Sequence, residues 1–371
     1  MVDVVENGSK GAVRHDPAEV PPLLRMTQET PTRLWNDSAT HAELSAAIGW
    51  GAVGATCNPV IALAALRSDL PRWQARINEY AAEHPTASES QIGWAMVEEL
   101  SVEAAALLAD AFTEHAGRNG RLSVQTDPRL HRNKDALVAQ ALHFDQLAPN
   151  IIVKMPATRV GIEAMEEATY RGVSINATVS FSVPQAIAVA EAIERGLTRR
   201  EADGHDISAM GPVCTIMVGR LDDWIKHTVE RDRILLDPGA LEWAGVAAFK
   251  NAYGIYRQRG YRVRLLSAAF RNHMHWSELQ GGDVVVSPPF DWQLRINEND
   301  IRPGSRIDEP VPAAHLAALQ TLPDFRRAYD EDGMSADEFS GFGATGRTLR
   351  QFLDATADLE ALVRDVTVPA P

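Results

Sequence analysis

Short runs of β-branched and apolar residues recur along most of the chain, and segments rich in Ala, Leu and Glu with helical spacing lie between them. Eight of these runs are predicted to be strands: Arg33–Asp37, Gly51–Asn58, Arg121–Asp127, Asn150–Pro156, Val173–Phe181, Val213–Arg220, Arg262–Arg271 and Asp283–Pro289. The helices predicted between them include Ser101–His115, Lys134–Leu147, Gly161–Arg171 and Pro184–Arg195.

Strands that alternate with helices pair in parallel, because each connection has to travel back along the sheet. Eight βα units in about 260 residues match the size of a closed (β/α)8 TIM barrel better than that of an open doubly wound sheet. The absence of a Gly-x-Gly-x-x-Gly turn after the first strand also argues against a dinucleotide-binding sheet. We therefore predict an α/β fold built on a (β/α)8 barrel.

The two ends of the chain differ from this alternating pattern. The first 32 residues are polar, contain several Gly and Pro residues and follow neither the helical nor the strand period. After Asn299 a Pro-rich connector leads to two helical stretches, Ala313–Leu322 and Gly346–Val363, and the acidic loop Asp330–Gly343 between them is expected near the barrel mouth. The predicted organisation is a mobile N-terminal arm over residues 1–32, a catalytic barrel over residues 33–299 and a C-terminal helical extension over residues 300–371 that packs on the barrel.

Charge and composition exclude several classes of function. The chain has 371 residues, a net charge of −14 at pH 7 and no block rich in Lys and Arg. Nucleic acid is therefore not expected as a partner, and an anionic membrane surface would repel the chain. The only cysteines, Cys57 and Cys214, lie far apart, and no apolar run is long enough for a secretory signal or a membrane span. These features predict a cytoplasmic protein.

Functional groups of a (β/α)8 barrel gather at the C-terminal ends of its strands. The polar residues at these ends are Asp37, Asn58, Gln125 with Asp127, Lys154, Asn176 with Thr178, Thr215 with Arg220, and Arg271. Lys154 is the most informative, because a strand buried on both faces should be continuously apolar. It is either a rim residue whose ammonium group reaches solvent, or a desolvated amine whose lowered pKa lets it condense with a carbonyl group.

Other candidates also have two interpretations. Asp37 is either a general acid/base or the cap of the next helix. Arg220 and Arg271 either form a clamp for a phosphate or carboxylate group, or each pairs with a neighbouring acid such as Asp222, Asp223 or Glu278. The pair His273 and His275 could supply two metal ligands, but no spaced Cys, Asp or Glu completes a site, so no metal is predicted.

Four segments resemble the transaldolase family, in this order and at plausible spacing: Gly54–Pro59 (GATCNP), Asn150–Ala164 (NIIVKMPATRVGIEA), Ser174–Ala186 (SINATVSFSVPQA) and Met217–Trp224 (MVGRLDDW). The resemblance covers about residues 33–297. Transaldolases are metal-independent (β/α)8 barrels that need no cofactor. They form a Schiff base between a lysine and a ketose, and then transfer a three-carbon dihydroxyacetone unit to an aldose phosphate.

The resemblance implies a role for each matching residue. Lys154 would be the Schiff-base nucleophile, and Asp37 would be the acid/base that acts on the substrate hydroxyl during carbon–carbon cleavage. Asn58 and Asn176 would hydrogen-bond the three-carbon unit. The remaining implied roles are a catalytic water held by Thr178 with Gln125, a phosphate group bound by Arg220 and Arg271, and a hydroxyl kept by Thr215 in place of the usual serine.

Three positions depart from the family pattern. Gln125 replaces the glutamate that activates water, which resembles the fructose 6-phosphate aldolase branch of the family. Met217 stands where an aromatic residue is usual and where the aldolase branch has a tyrosine. Ala269 replaces a serine that assists phosphate binding, which removes about one hydrogen bond, on the order of 1–3 kcal/mol for a charged acceptor.

The leading hypothesis is a transaldolase-type transferase that moves a dihydroxyacetone (ketol) unit between a ketose phosphate and an aldose, as in the pentose phosphate pathway. The alternative is a class I aldolase that releases or adds free dihydroxyacetone, which Gln125 favours. A third hypothesis is a non-catalytic sugar-phosphate-binding protein. The sequence leaves open the exact donor and acceptor sugars and the oligomeric state, including a homo-oligomer.

Overall fold

The computed structural model describes residues 20–299 and 301–369, and its centre is a closed barrel of eight parallel strands in which β8 pairs with β1. The strands are β1 (Arg33–Asn36), β2 (Ala52–Cys57), β3 (Arg121–Gln125), β4 (Ile151–Pro156), β5 (Ile175–Thr178), β6 (Val213–Ile216), β7 (Arg264–Ala268) and β8 (Val285–Ser287). The predicted (β/α)8 barrel is confirmed. All eight predicted strands were too long at one or both ends, because polar and apolar loop residues continue the strand pattern past the last ladder hydrogen bond.

Helices surround the closed barrel on its outside. They are α1 (Pro22–Glu29), α2 (His41–Gly49), α3 (Pro59–Ser68), α4 (Leu70–Glu83), α5 (Glu89–Ala106), α6 (Ala109–Glu114), α7 (Lys134–Asp145), α8 (Arg159–Tyr170), α9 (Val183–Ala202), α10 (Val218–Arg231), α11 (Pro238–Leu241), α12 (Ala244–Arg259), α13 (Met274–Ser277), α14 (Phe290–Asn297), α15 (Ala313–Gln320), α16 (Pro323–Tyr329) and α17 (Gly343–Thr367). Two 3₁₀ helices lie at Pro128–Leu130 and Ala336–Gly341. Within the described ranges, no helix is both long and apolar enough to cross a membrane.

Alternation along the strands divides the apolar residues between two cores. A small cluster of alternate strand residues fills the barrel interior, namely Trp35, Ile152, Val213, Leu266, Ala268 and Val285. A much larger cluster, and a smaller one beside β1 and β8 that includes Leu34 and Val286, fill the layer between the strands and the surrounding helices. The interior cluster forms an apolar floor, and the polar ends of the strands lie above it.

Local sequence signals set where the helices around the site begin. Ser88 and Gln91 form a reciprocal capping box at the start of α5, so this helix begins at Glu89 and ends at Ala106. The predicted helix Ser101–His115 was therefore wrong at both ends, and its second half is the separate helix α6. Thr158 and Ser182 cap α8 and α9 through their hydroxyl groups, which accept the backbone N–H groups of Gly161 and Gln185.

The N-terminal arm predicted over residues 1–32 needs correction in its last third. Pro22–Glu29 is a helix in which Leu23 and Met26 are completely buried. Thr32 also ties this segment to the loop before β8, because its hydroxyl donates to the carbonyl of Gly282 at 3.1 Å. The sequence pattern did not predict this helix, because its apolar face is only two turns long. The rest of the predicted arm, residues 1–19, lies outside the described residues.

The C-terminal extension shares its core with the barrel. Phe339, Phe342, Phe352 and Leu359 belong to the same buried cluster as the outer face of the strands. The acidic segment Asp330–Gly343 contains a 3₁₀ helix rather than being a continuous loop. The last helix, α17, then packs against α3, α5 and α10 and lies across the C-terminal mouth of the barrel.

Candidate active site

Lys154 lies on β4 among the ends of three neighbouring strands. Its backbone is in register with Gln125 on β3 and with Asn176 on β5, so these side chains share one layer above the apolar floor. Lys154 is only 4% exposed. The pKa of its amine is lowered to about 8, mainly by burial and also by the charge of Arg220, while the carboxylate of Asp37 acts to raise it. The structure therefore shows the desolvated amine and not the solvent-facing rim residue.

Asp37 follows the last residue of β1 and faces the same layer. Burial raises the pKa of this carboxyl group, while the positive charges of Lys154 and Arg220 act to lower it. The alternative interpretation as a helix cap is wrong, because α2 begins after Thr40 and has no capping hydrogen bond from a side chain. A carboxyl group beside an amine of lowered pKa is suited to move a proton during chemistry at that amine.

Asn176 is held rigidly by two hydroxyl groups. Its Nδ2 donates to Oγ of Ser123 at 2.9 Å, and Oγ1 of Thr215 donates to its Oδ1 at 2.8 Å. All three side chains are buried. Thr215 was predicted to bind substrate. In the structure its hydroxyl donates a hydrogen bond to Asn176. The sequence analysis missed Ser123, although it lies two residues before Gln125 and therefore on the same face of β3.

The remaining predicted polar residues lie around this layer. Oδ1 of Asn58 accepts the backbone N–H groups of Val60 and Ile61 at 2.9 and 3.0 Å, so Asn58 caps α3 and only its Nδ2 stays available for a ligand. Gln125 is 4% exposed, and its Oε1 has no hydrogen-bond partner among the described residues. The hydroxyl of Thr178 lies 3.9 Å from Sδ of Met217. Position 217 is the one at which an aromatic residue is usual in the family that the sequence resembles.

Trp35 forms part of the floor of the site and was missed by sequence reasoning. It is fully buried on β1, two residues before Asp37, and its indole lies flat against Gly54 on β2. A Cβ atom at Gly54 would lie 2.4 Å from the ring. The glycine in the GATCNP segment therefore makes room for the tryptophan.

Gln185 was also missed, although it lies in one of the segments that carry the resemblance. Its buried Nε2 donates to the carbonyl groups of Ala157 and Val179, at 3.1 and 3.0 Å. These carbonyls follow β4 and β5, so one amide group braces the strand of Lys154 against the strand of Asn176. Val179 has a φ of 52°, a conformation that a β-branched residue adopts only when its surroundings force it.

The two arginines lie beyond the strands to which the sequence assigned them. Arg220 is in the first turn of α10, where its Nη1 lies 3.3 Å from Oγ1 of Thr348 and its guanidinium lies over the ring of Phe352 on α17. Arg271 follows β7 and forms an ion pair with Asp223, with Nε 2.9 Å from Oδ2. Burial lowers the pKa of Arg220, and the positive charge of Arg271 acts in the same direction. Of the two interpretations given by the sequence, pairing with a neighbouring acid is seen for Arg271, whose partner is Asp223.

Backbone geometry holds the two arginine segments against each other. Ala269 has a φ of 62°, and its carbonyl points at Gly219 on α10. A Cβ atom at Gly219 would lie 2.0 Å from that oxygen. The serine that the family usually has at position 269 is absent, and the alanine leaves the clamp without that hydroxyl group.

A buried amine beside a carboxyl group, over an apolar floor in a (β/α)8 barrel, is the arrangement of an enzyme that forms an imine with a carbonyl substrate. The sequence profile of the transaldolase/fructose-6-phosphate aldolase family matches residues 34–338. The chain is 33% identical to a transaldolase of Mycolicibacterium smegmatis over an alignment of 335 positions, with coverage of 82% of this chain and 86% of that protein. It is 33% identical to a transaldolase of Saccharopolyspora erythraea, with coverage of 82% and 79%, and 34% identical to one of Arthrobacter sp., with coverage of 78% and 79%.

The chain belongs to the transaldolase/fructose-6-phosphate aldolase family. It is an enzyme of the transaldolase type, and a Schiff-base mechanism is typical of this family.

Proposed function

We propose that the protein transfers a dihydroxyacetone unit from a ketose phosphate to an aldose through a Schiff base on Lys154. The observation that carries the proposal is the state of this amine. It is 4% exposed and its pKa is lowered to about 8. At pH 7 roughly 10% of such amines are neutral, against less than about 0.1% for a lysine with the ordinary pKa of 10.5. Only the neutral amine attacks a carbonyl carbon.

In the proposed cycle the amine of Lys154 attacks the ketose carbonyl carbon and, after loss of water, forms a protonated imine. The carboxylate of Asp37 takes the proton of the C4 hydroxyl while the C3–C4 bond breaks, and the bonding electrons move onto the imine to give an enamine. The first aldose leaves. The enamine then attacks the carbonyl carbon of the acceptor, Asp37 returns its proton to the new hydroxyl, and hydrolysis releases the new ketose from Lys154.

The other side chains of the layer bind and orient in this proposal. Nδ2 of Asn58 and the amide of Asn176 hydrogen-bond the hydroxyls of the three-carbon unit. Hydrogen bonds with Ser123 and Thr215 fix the orientation of the Asn176 amide. The fixed amide adds specificity for the hydroxyl groups of the three-carbon unit. Thr178 and Gln125 position the water that hydrolyses the imine. Gln125 cannot ionise, so it orients this water without taking its proton.

Arg220 and Arg271 bind the phosphate of the sugar in the proposed complex. The two arginines follow β6 and β7, beyond the strand residues that form the polar layer. Binding energy at that end would orient the chain of the sugar over Lys154. The ion pair with Asp223 keeps Arg271 in place before substrate arrives.

Intact-mass measurement after incubation with fructose 6-phosphate and borohydride tests the proposal. The chain has only five lysines, so peptide mapping assigns the adduct without ambiguity. We expect one reduced adduct on Lys154 and none in Lys154→Met. Lys250 is the matched internal control, because it is also buried but forms an ion pair with Glu278 outside the barrel. An adduct on Lys250 or on several lysines would refute a specific role for Lys154.

A second candidate function is a class I aldolase on the same residues, and Gln125 favours it because the aldolase branch has glutamine there. Product analysis with and without an acceptor aldehyde separates the two. Cleavage that stalls as a trapped enamine without acceptor supports the transferase, whereas steady release of dihydroxyacetone supports the aldolase. Tight binding of ketose phosphate with no adduct would instead indicate the non-catalytic binding protein.

We infer that the enzyme works in the cytoplasm on sugar phosphates of the pentose phosphate pathway. Two buried, unpaired thiols, Cys57 and Cys214, support a reducing compartment. Burial raises the pKa of each thiol to about 12, which keeps both protonated. Cell fractionation with compartment markers tests this, and recovery with exported proteins would contradict it.

A further inference from the structure

Two fully buried side chains behind the arginine clamp have no part in the proposed reaction. Asp222 lies on α10, two residues after Arg220, and His275 lies on α13, four residues after Arg271. Both are 0% exposed, and Nε2 of His275 lies 2.7 Å from Oδ2 of Asp222. Burying such a pair is costly unless all of its polar atoms are hydrogen-bonded.

Each polar atom of the pair has a defined partner. Nδ1 of His275 accepts the backbone N–H of Arg271 at 3.0 Å, so the ring proton is on Nε2 and is donated to Asp222. Oδ1 of Asp222 accepts the backbone N–H of Gly245 at 2.7 Å, at the start of α12. The pair thus connects two consecutive βα units, those that follow β6 and β7, and fixes one orientation of the imidazole.

Two adjacent acids act on the same arginine. Asp223 holds the guanidinium of Arg271, and Asp222 holds its backbone N–H through His275. The backbone needs such support, because Ala269 is in the left-handed region with a φ of 62°. A further contact holds α13 to β7, since Oγ of Ser267 donates to the carbonyl of His275 at 3.2 Å.

We propose that the Asp222–His275 pair is a positioning device for Arg271 and sets the affinity of the site for the phosphate group of the substrate. The inference rests on the proposed function, in which Arg220 and Arg271 bind that phosphate. Because Asp222 is on the same helix as Arg220, the pair fixes the two guanidinium groups relative to each other. It does not touch the layer of Lys154, so dihydroxyacetone, which has no phosphate, needs none of its contribution.

The test compares phosphorylated and unphosphorylated ligands in His275→Phe, His275→Asn and Asp222→Asn. We expect His275→Phe to raise the KM for fructose 6-phosphate and the inhibition constant of inorganic phosphate at least tenfold. Its rate of borohydride trapping with dihydroxyacetone should stay within about twofold of the wild type. His275→Asn should recover part of the phosphate affinity, since its Oδ1 can replace Nδ1 as the acceptor for Arg271.

A variant with a general loss of stability is the necessary control. Phe144→Leu serves, because Phe144 is fully buried in α7 on another side of the barrel. The proposal is overturned if His275→Phe leaves both phosphate constants unchanged. It is also overturned if trapping with dihydroxyacetone falls by the same factor as phosphate affinity, or if Phe144→Leu reproduces the selective effect.

Failure of the proposed function would look different. In that case the wild-type enzyme itself would give no adduct on Lys154 with either ketose. Calorimetric titration of the wild type and His275→Phe with fructose 6-phosphate then still decides the positioning role. A loss of affinity of at least tenfold in the variant supports it, and equal affinity refutes it.

Discussion

The amine of Lys154 is buried at a position where an apolar side chain would cost less free energy. Its neighbours explain why the site tolerates it: Asp37 supplies a negative charge, and Gln125 and Asn176 surround it with amide groups. The sequence identified all four residues, because each interrupts or ends an apolar strand. It could not decide between a rim lysine and a desolvated one, since that difference depends on what covers the strand ends.

The rate of imine formation should follow the protonation state of Lys154. With a pKa of about 8, the neutral fraction falls about tenfold for each pH unit below 8 and levels off above it. We therefore expect the initial rate of adduct formation, sampled by borohydride quenching, to rise from pH 6 to about 8 and then flatten. A rate that still rises tenfold between pH 9 and 10 would show an ordinary lysine. In Asp37→Asn the midpoint should move to lower pH, because Asp37 raises the pKa of Lys154.

Removing the buried amine should stabilise the protein at neutral pH. The unfolded chain holds the proton of Lys154 up to about pH 10.5 and the folded chain only up to about 8, so wild-type stability rises with pH across this window. Lys154→Met should be more stable at pH 7 by up to about 3 kcal/mol, and the difference should shrink towards pH 10. Urea unfolding at both pH values measures this. The exposed Lys134→Met is the control, and equal stability of wild type and Lys154→Met at pH 7 would contradict the account.

At the scale of elements, the strand order and most helices follow from the alternating pattern, whereas the ends of the elements do not. Arg220 was placed at the end of a strand but lies in the first turn of α10, and β6 ends at Ile216. The apolar pattern continues through Met217 and Val218, so the sequence gives no sign of the change. The contact that decides it is non-local, because the start of α10 has to fit against the carbonyl of Ala269.

Gly219 should therefore be intolerant of any side chain. A Cβ atom there would lie 2.0 Å from the carbonyl oxygen of Ala269. We expect Gly219→Ala to lower stability by about 1–3 kcal/mol and to raise the KM for ketose phosphate several-fold by pushing the two arginine segments apart. Thermal unfolding and steady-state kinetics measure the two effects. Gly254→Ala, in the middle of α12 with nothing within 4 Å, is the control and should be neutral or stabilising. Equal behaviour of the two variants would contradict the argument.

At the scale of the whole molecule, the C-terminal extension is part of the barrel and not an appendage. Leu359 and Val363 of α17 pack in the same core as the outer face of the strands. The same helix contacts Arg220 through Thr348 and Phe352, so one element completes the core and closes the mouth.

The barrel and its extension should consequently unfold together. Leu359→Ala, at a position 2% exposed, should lower stability by about 2–5 kcal/mol and shift the whole transition to lower urea concentration. Circular dichroism and tryptophan fluorescence should report the same midpoint. Asp358→Ala, which changes the exposed neighbour, should leave the midpoint unchanged. A separate early transition for the extension, with the barrel transition unmoved, would contradict a shared core.

The sequence by itself determined the barrel, the number of strands and the polar residues at the strand ends, because alternation, strand-end polarity and the spacing of the motifs are local properties. It also contained the family resemblance. The tertiary structure alone decided that Lys154 is desolvated, that Thr215 holds Asn176, and that His275 and Asp222 stand behind Arg271. These relations join residues from different βα units, and a pattern along one strand cannot report contacts that form only when the barrel closes and α17 covers its mouth.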